Sequence, residues 1–355
     1  MLLTLHAASL RSMLAPGRGK PKLALADLPR FARQDLDMSG LMLTTDLLKG
    51  ATRTLLEDLR ETADKQRCAC LLLIEPEPLK LADESDKVGG AGVERAKRVL
   101  QAASLLGCNA ASIAINSPDE DDFVDFAADR IRQIVETADR LDMSLLISPR
   151  EGLTEKPERV TELIKKIGGF RVGTLPDFAD AIRTDDPAAY LRKLVPYASV
   201  VCATTMDMSP PESATRDDGG ETEPVAEPGN EQAADQKADR PATEAPDPDA
   251  EPSSEAESPE DPAGDGEAAI EDELGVGPGG GLESLINAVL SEEAIEEEDD
   301  PPTHSPYELQ PLVDAVHSVG FDGSLAVRYI GDGDPVVGTD LSRWALEHAV
   351  GAAKK

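Results

Sequence analysis

Eight short apolar runs, each ending in polar residues and most followed by a stretch with helical spacing, constrain this chain more than anything else in it. The runs are LLTL at 2–5, GLMLT at 40–44, CACLLLIE at 68–75 and AASIAIN at 110–116. MSLLIS at 143–148, FRVGTL at 170–175, ASVVCATT at 198–205 and SLAVRY at 324–329 complete the set. Continuous apolar runs, rather than alternating ones, belong to strands covered on both faces, as parallel strands are. Helical patterns fall between them at 25–36, 52–67, 93–106, 119–141, 157–167, 187–194, 306–319 and 339–352. Pro157 and Pro187 suit first helical positions, and Gly107 and Gly168 suit helix ends. Eight strand–helix alternations predict an α/β fold, a (β/α)8 TIM barrel. A doubly wound open sheet is the alternative, but no GxGxxG follows the first strand to support a dinucleotide fold.

One stretch does not follow the alternation. Residues 209–303 hold 30 acidic and 3 basic residues, a net of −27 out of −34 for the 355-residue chain, and 13 of its 27 prolines. They hold no aromatic residue. Such a segment buries too little apolar surface to offset its ordering entropy, so a disordered acidic insertion is expected there. One TIM-barrel domain is then expected from 1–208 together with 304–355, interrupted between strand 7 and helix 7. Within the insertion, Leu282, Leu285, Ile286, Val289 and Leu290 have helical spacing. A short amphipathic helix at 282–298 could dock on the barrel or on a protein partner, or form transiently with no partner.

The remainder carries 39 acids and 32 bases with no Lys/Arg stripe, which argues against nucleic acid as a partner. No 18-residue apolar run offers a membrane span. The first residues, MLLTLHAASLRSML, make a poor signal peptide. Cys68, Cys70, Cys108 and Cys202 sit in or beside apolar runs and are expected as buried free thiols, consistent with a cytoplasmic protein.

In a barrel of this kind, chemistry sits at the C-terminal ends of the strands. Those ends carry His6, Asp46, Glu75, Asn116, Ser148 with Arg150 and Glu151, Asp177, the segment 204–207, and Arg328 with Asp332 and Asp334. Caps and turn formers would give a similar polar ring.

The order of GLMLTTDLL, LLLIEPE, LLISPREG, GTLPDF and GSLAVRYIGDGDP resembles the xylose isomerase-like barrel superfamily, which includes sugar phosphate isomerases and epimerases. The resemblance runs from about Asp35 to Val350. It implies a small carbohydrate as ligand and a divalent Mn, Mg or Zn ion held by Glu, Asp, His and Glu after strands five to eight. Here those positions fall on Ser148, Asp177, a residue near Cys202, and Arg328. One of four ligands survives and one is replaced by a cation, which could pair with Asp177 instead. Glu151, three residues after Ser148, is the nearest substitute, but no family-type metal site is expected. The scarcity of histidines also argues against the superfamily's three-zinc nuclease branch.

Two readings of function follow. In the first, a sugar phosphate isomerase or epimerase-like protein uses Glu75, Asp177 and Glu151 as acid/base groups. His6, Asn116, Arg150 and Arg328 then bind substrate. In the second, the barrel is a non-catalytic carbohydrate binder or interaction scaffold.

Overall fold

Each apolar run becomes a strand because helices cover one of its faces and the other strands cover the second. In the computed structural model, which describes residues 1–15, 20–211 and 300–354, the strands are β1 (Leu2–His6), β2 (Gly40–Thr44), β3 (Ala69–Ile74) and β4 (Ala110–Ala114). They continue as β5 (Ser144–Ser148), β6 (Val172–Thr174), β7 (Val200–Thr205) and β8 (Ser324–Tyr329). All pairings among them are parallel, in the order β6-β5-β4-β3-β2-β1-β8-β7. Bridges from Thr174 to Ala198 and from Asp177 to Cys202 then join β6 to β7, and the Cys202 N–H donates to the Pro176 carbonyl at 2.8 Å. The sheet therefore closes on itself, which rules out the doubly wound alternative and leaves a (β/α)8 barrel.

The helices are α1 (Leu28–Gln34), α2 (Arg53–Lys65), α3 (Asp86–Leu105), α4 (Asp121–Arg140), α5 (Pro157–Ile167), α6 (Pro187–Leu194), α7 (Gln310–Ser318) and α8 (Pro335–Ala353). In α5, Val160, Leu163, Ile164 and Ile167 form one buried stripe, Pro157 opens the helix, and Gly168 closes it at a φ of 75°. Three helices begin four or more residues from where the sequence pattern suggests: α3 earlier by seven residues, α8 earlier by four, and α7 later by four. In α8 the missed signal is Asp334, whose carboxylate accepts from the Val336 and Val337 N–H groups just ahead of Pro335.

The core has two layers. Leucine, isoleucine and alanine between sheet and helices form the larger one. A smaller cluster of Met42, Leu72, Ile74, Ala110, Leu146, Leu175, Val200, Cys202 and Ala326 plugs the barrel interior. Residues 209–211 and 300–303 flank the acidic segment, and Met208–Ser209 pairs antiparallel with Thr303–His304. The rest of the expected insertion, including the amphipathic pattern at 282–298, lies outside the described residues. No helix among the described residues is long and apolar enough to cross a membrane.

Candidate functional site

The alternation of side chains along a strand that puts Cys202 and Ala326 in the interior plug puts Thr204 and Arg328 above it. At the C-terminal end of the barrel this gives a layer of buried polar groups: His6, Ser112, Ser148, Asp177 and Thr204, with Arg328 partly buried beside them. Asp177 is its hub. Its Oδ1 accepts from the Ala179 N–H at 3.0 Å, capping the single turn Phe178–Ala181. Its Oδ2 accepts from Thr204 Oγ1 at 2.8 Å and from Arg328 Nη1 at 3.3 Å. Asp177 thus caps the turn with one oxygen and joins the buried polar layer with the other. The pairing of Arg328 with Asp177 is present, while Arg328 Nε is buried with no partner.

His6 ends β1 and is 4% exposed, its Nδ1 accepting from the Ala8 N–H at 3.2 Å. Burial, with Arg328 and Arg11 nearby, pushes its pKa down to about 3, so the ring is neutral. Cys202 lies below Asp177, and burial, then the Asp177 charge, raises its thiol well above the ordinary range. Ser112 and Ser148 share a hydroxyl–hydroxyl bond of 2.8 Å.

Glu75 stands apart from this hub. Although it opens the Pro-rich turn EPEP, its carboxylate is 3% exposed. Its Oε2 lies 2.5 Å from Arg95 Nη2 in an ion pair, without the alignment of a hydrogen bond, and Arg95 also donates to Thr45 Oγ1 at 3.2 Å. Arg95 is one site residue that the sequence reading missed, because on α3 it looks like an ordinary exposed helical cation. Asn116 is exposed and lines a separate cavity with Lys80 and Phe123.

Arg150 and the exposed Glu151 line a cavity of about 220 Å³ between the loops after β5 and β6, with Asp180, Arg183 and Tyr190. Asp180 and Tyr190 were also missed: one follows Asp177 inside a helical turn, the other looks like a helix-core residue. Burial, then the Asp177 charge, pushes the Asp180 pKa up to about 6. The remaining histidines divide as their positions suggest. His317 and His348 are exposed on α7 and α8. His304 is buried, its Nδ1 bonded to the Tyr307 carbonyl at 2.8 Å and its Nε2 accepting from the Met206 N–H at 3.0 Å.

The barrel matches solved structures over nearly its whole length. An L-ribulose 3-epimerase superposes with a TM-score of 0.61 at 10% identity, over 99% of this chain and 95% of that one. A xylose isomerase domain protein from Alicyclobacillus acidocaldarius subsp. acidocaldarius gives 0.57 at 14% identity, over 99% and 100%. The fold is that of the xylose isomerase-like barrels. The IOLI protein with a bound zinc atom, at 0.60 and 10% identity over 99% of both chains, shares it too. No family model and no curated protein matches the chain.

A divalent ion of the kind xylose isomerase-like barrels imply does not fit the residues present. Ser148 offers a hydroxyl already bonded to Ser112, Cys202 is held as a protonated thiol, and Arg328 is a cation. Both oxygens of Asp177, the one matching carboxylate, are engaged. Glu151 is exposed on its loop, and among the described residues no three His, Cys, Asp or Glu side chains group as a metal would require.

Proposed function

We propose that this barrel binds a small carbohydrate at its C-terminal mouth, over Asp177, Arg328 and His6, without divalent-ion chemistry. The Asp177–Arg328 pair carries this reading. Where a metal would polarise a sugar oxygen, the chain sets a guanidinium, a fixed cation with N–H donors. Thr204 and the neutral His6 add a hydroxyl and a ring able to donate or accept. Solved structures of this fold carry names such as L-ribulose 3-epimerase and D-psicose 3-epimerase, which supports a sugar as the ligand.

An isomerase or epimerase reading keeps a specific observation in its favour. Glu75 and Asp177 are both buried carboxylates at strand ends, the residue type that moves protons next to a carbonyl. Each is already paired with an arginine, which holds it engaged rather than free to shuttle a proton, so binding is the better-supported function.

Calorimetric titration of the full chain with D-fructose, D-tagatose and L-ribulose tests this, together with NMR detection of sugar interconversion with and without Mn²⁺. Saturable binding without metal, weakened at least tenfold in Arg328→Ala, is expected. Interconversion stimulated by Mn²⁺ would overturn the metal-free reading, and no heat with any of the three sugars would overturn the carbohydrate.

A further inference from the structure

Beside the Asp177–Arg328 hub, the cavity between the loops after β5 and β6 contains polar groups whose bonding is incomplete. Tyr190 is 3% exposed, and its hydroxyl is buried with no hydrogen-bond partner. A buried donor without an acceptor is costly enough that native structures rarely keep one unless something else meets it. Asp180 faces the same cavity. Its Oδ1 pairs with Arg183 at 2.5 Å, but the nearest cation to Oδ2 is Arg150 Nη1 at 3.8 Å. That gap is too long for a hydrogen bond and leaves both groups with bonding capacity towards the cavity.

We infer that this cavity is the second half of the sugar site and takes the hydroxyl-bearing end of a neutral carbohydrate. A ligand hydroxyl donates to Asp180 Oδ2 and accepts from Arg150, and a further ligand oxygen meets the Tyr190 hydroxyl. The lining decides against a charged ligand group. Arg150 and Arg183 face Asp180, Glu151 and Glu155, so an anion meets three carboxylates and a cation meets two guanidinium groups. Only a group that both donates and accepts satisfies the set. The cavity of about 220 Å³ holds part of a small molecule. Asp180 is held one turn from the hub, its N–H donating to the Asp177 carbonyl at 3.1 Å, which sets the cavity next to the mouth.

This inference rests on the carbohydrate reading, and the test separates the two. Full-length wild type, Tyr190→Phe, Asp180→Asn and Arg328→Ala are titrated with D-fructose, L-ribulose and D-fructose 6-phosphate at pH 7 and pH 5. Tyr190→Phe should weaken the neutral sugars about five- to tenfold with no loss of thermal stability. Asp180→Asn should weaken them by a similar factor. Wild type should bind neutral sugars more weakly at pH 5 than at pH 7, as Asp180 takes up a proton amid Arg150, Arg183, Arg328, Asp177 and Tyr190, and Asp180→Asn should flatten that dependence. Wild-type affinity retained in both variants, with binding lost in Arg328→Ala, overturns this cavity while leaving the mouth intact. Tighter binding of the phosphate than of D-fructose overturns the neutral class, and no binding by wild type overturns both readings.

Discussion

His6 shows how one residue can serve a local turn and the buried polar layer together. Its ring nitrogen caps the turn after β1 while the ring stands next to Arg328, and both burial and that cation oppose protonation. The folded pKa of about 3 lies below the unfolded value near 6.5, so the unfolded chain binds the extra proton first as pH falls. The stabilising contribution is complete above pH 6.5 and is lost progressively towards pH 3. Between pH 7 and pH 5 His6 should account for about 2 kcal/mol of lost stability. Asp180, with its folded pKa raised, works in the opposite sense below about pH 6. Urea unfolding at the two pH values, with His6→Asn preserving an acceptor for the Ala8 N–H, isolates the histidine. The variant should lose less stability on acidification by that amount, and an equal loss would show that His6 does not govern it. At this scale the sequence is partly legible. It offered Arg328, a cation at an implied metal-ligand position, as a partner for Asp177, and the two meet across the intervening β7. It could not show that Glu75 is buried on Arg95, or that Tyr190 lacks a partner. Those facts depend on how α3 and α6 pack beside the strand ends, which no local pattern encodes.

Elements were more legible than their ends and seams. The parallel strands spell themselves as apolar runs, and β2 and β8 coincide with GLMLT and SLAVRY. Helix α3 is the instructive failure. Its first turns read Asp-Lys-Val-Gly-Gly-Ala-Gly, a poor helical sequence by propensity, yet they are helical because tertiary packing needs the glycines. A Cβ at Gly89 would strike the guanidinium of the buried Arg130, and one at Gly92 would crowd Leu81. The closing seam depends on a glycine in the same way. Gly173 in β6 lies so close to the Tyr197 carbonyl oxygen that any side chain must push β6 away from the segment entering β7. Because that seam consists of isolated bridges rather than a full ladder, few backbone bonds hold it. Gly173→Ala should therefore destabilise the barrel by about 2–3 kcal/mol. Hydrogen exchange should show faster exchange at the Cys202 N–H while the amides of the β1–β8 pairing stay protected. Unchanged exchange at Cys202 would show that the seam tolerates the side chain.

For the whole molecule, the question is what a segment with a net charge of −27 does to the barrel that carries it. The chain leaves the barrel after β7 and returns before α7, and its two ends are fixed side by side. Met208 pairs with His304 and Ser209 with Thr303, His304 accepts from the Met206 N–H, and the Tyr307 hydroxyl bonds to the Thr204 carbonyl. The barrel thus supplies both strands of a hairpin and needs from the intervening chain only a connection. Replacing 210–302 with a five-residue Gly/Ser linker shortens that connection from 93 residues to five, a hairpin loop of ordinary length. For a chain that composition marks as unable to form a core, ideal loop closure makes the shorter connection more favourable by about 2–3 kcal/mol. The expected result is a barrel stabilised by about 1–3 kcal/mol in urea, with its affinity for neutral sugars unchanged. Its stability should also respond less to salt, since 30 of the 69 acidic residues leave with the segment. A drop in stability would mean that the acidic segment packs on the barrel, and a drop in sugar affinity alone would make it part of the mouth.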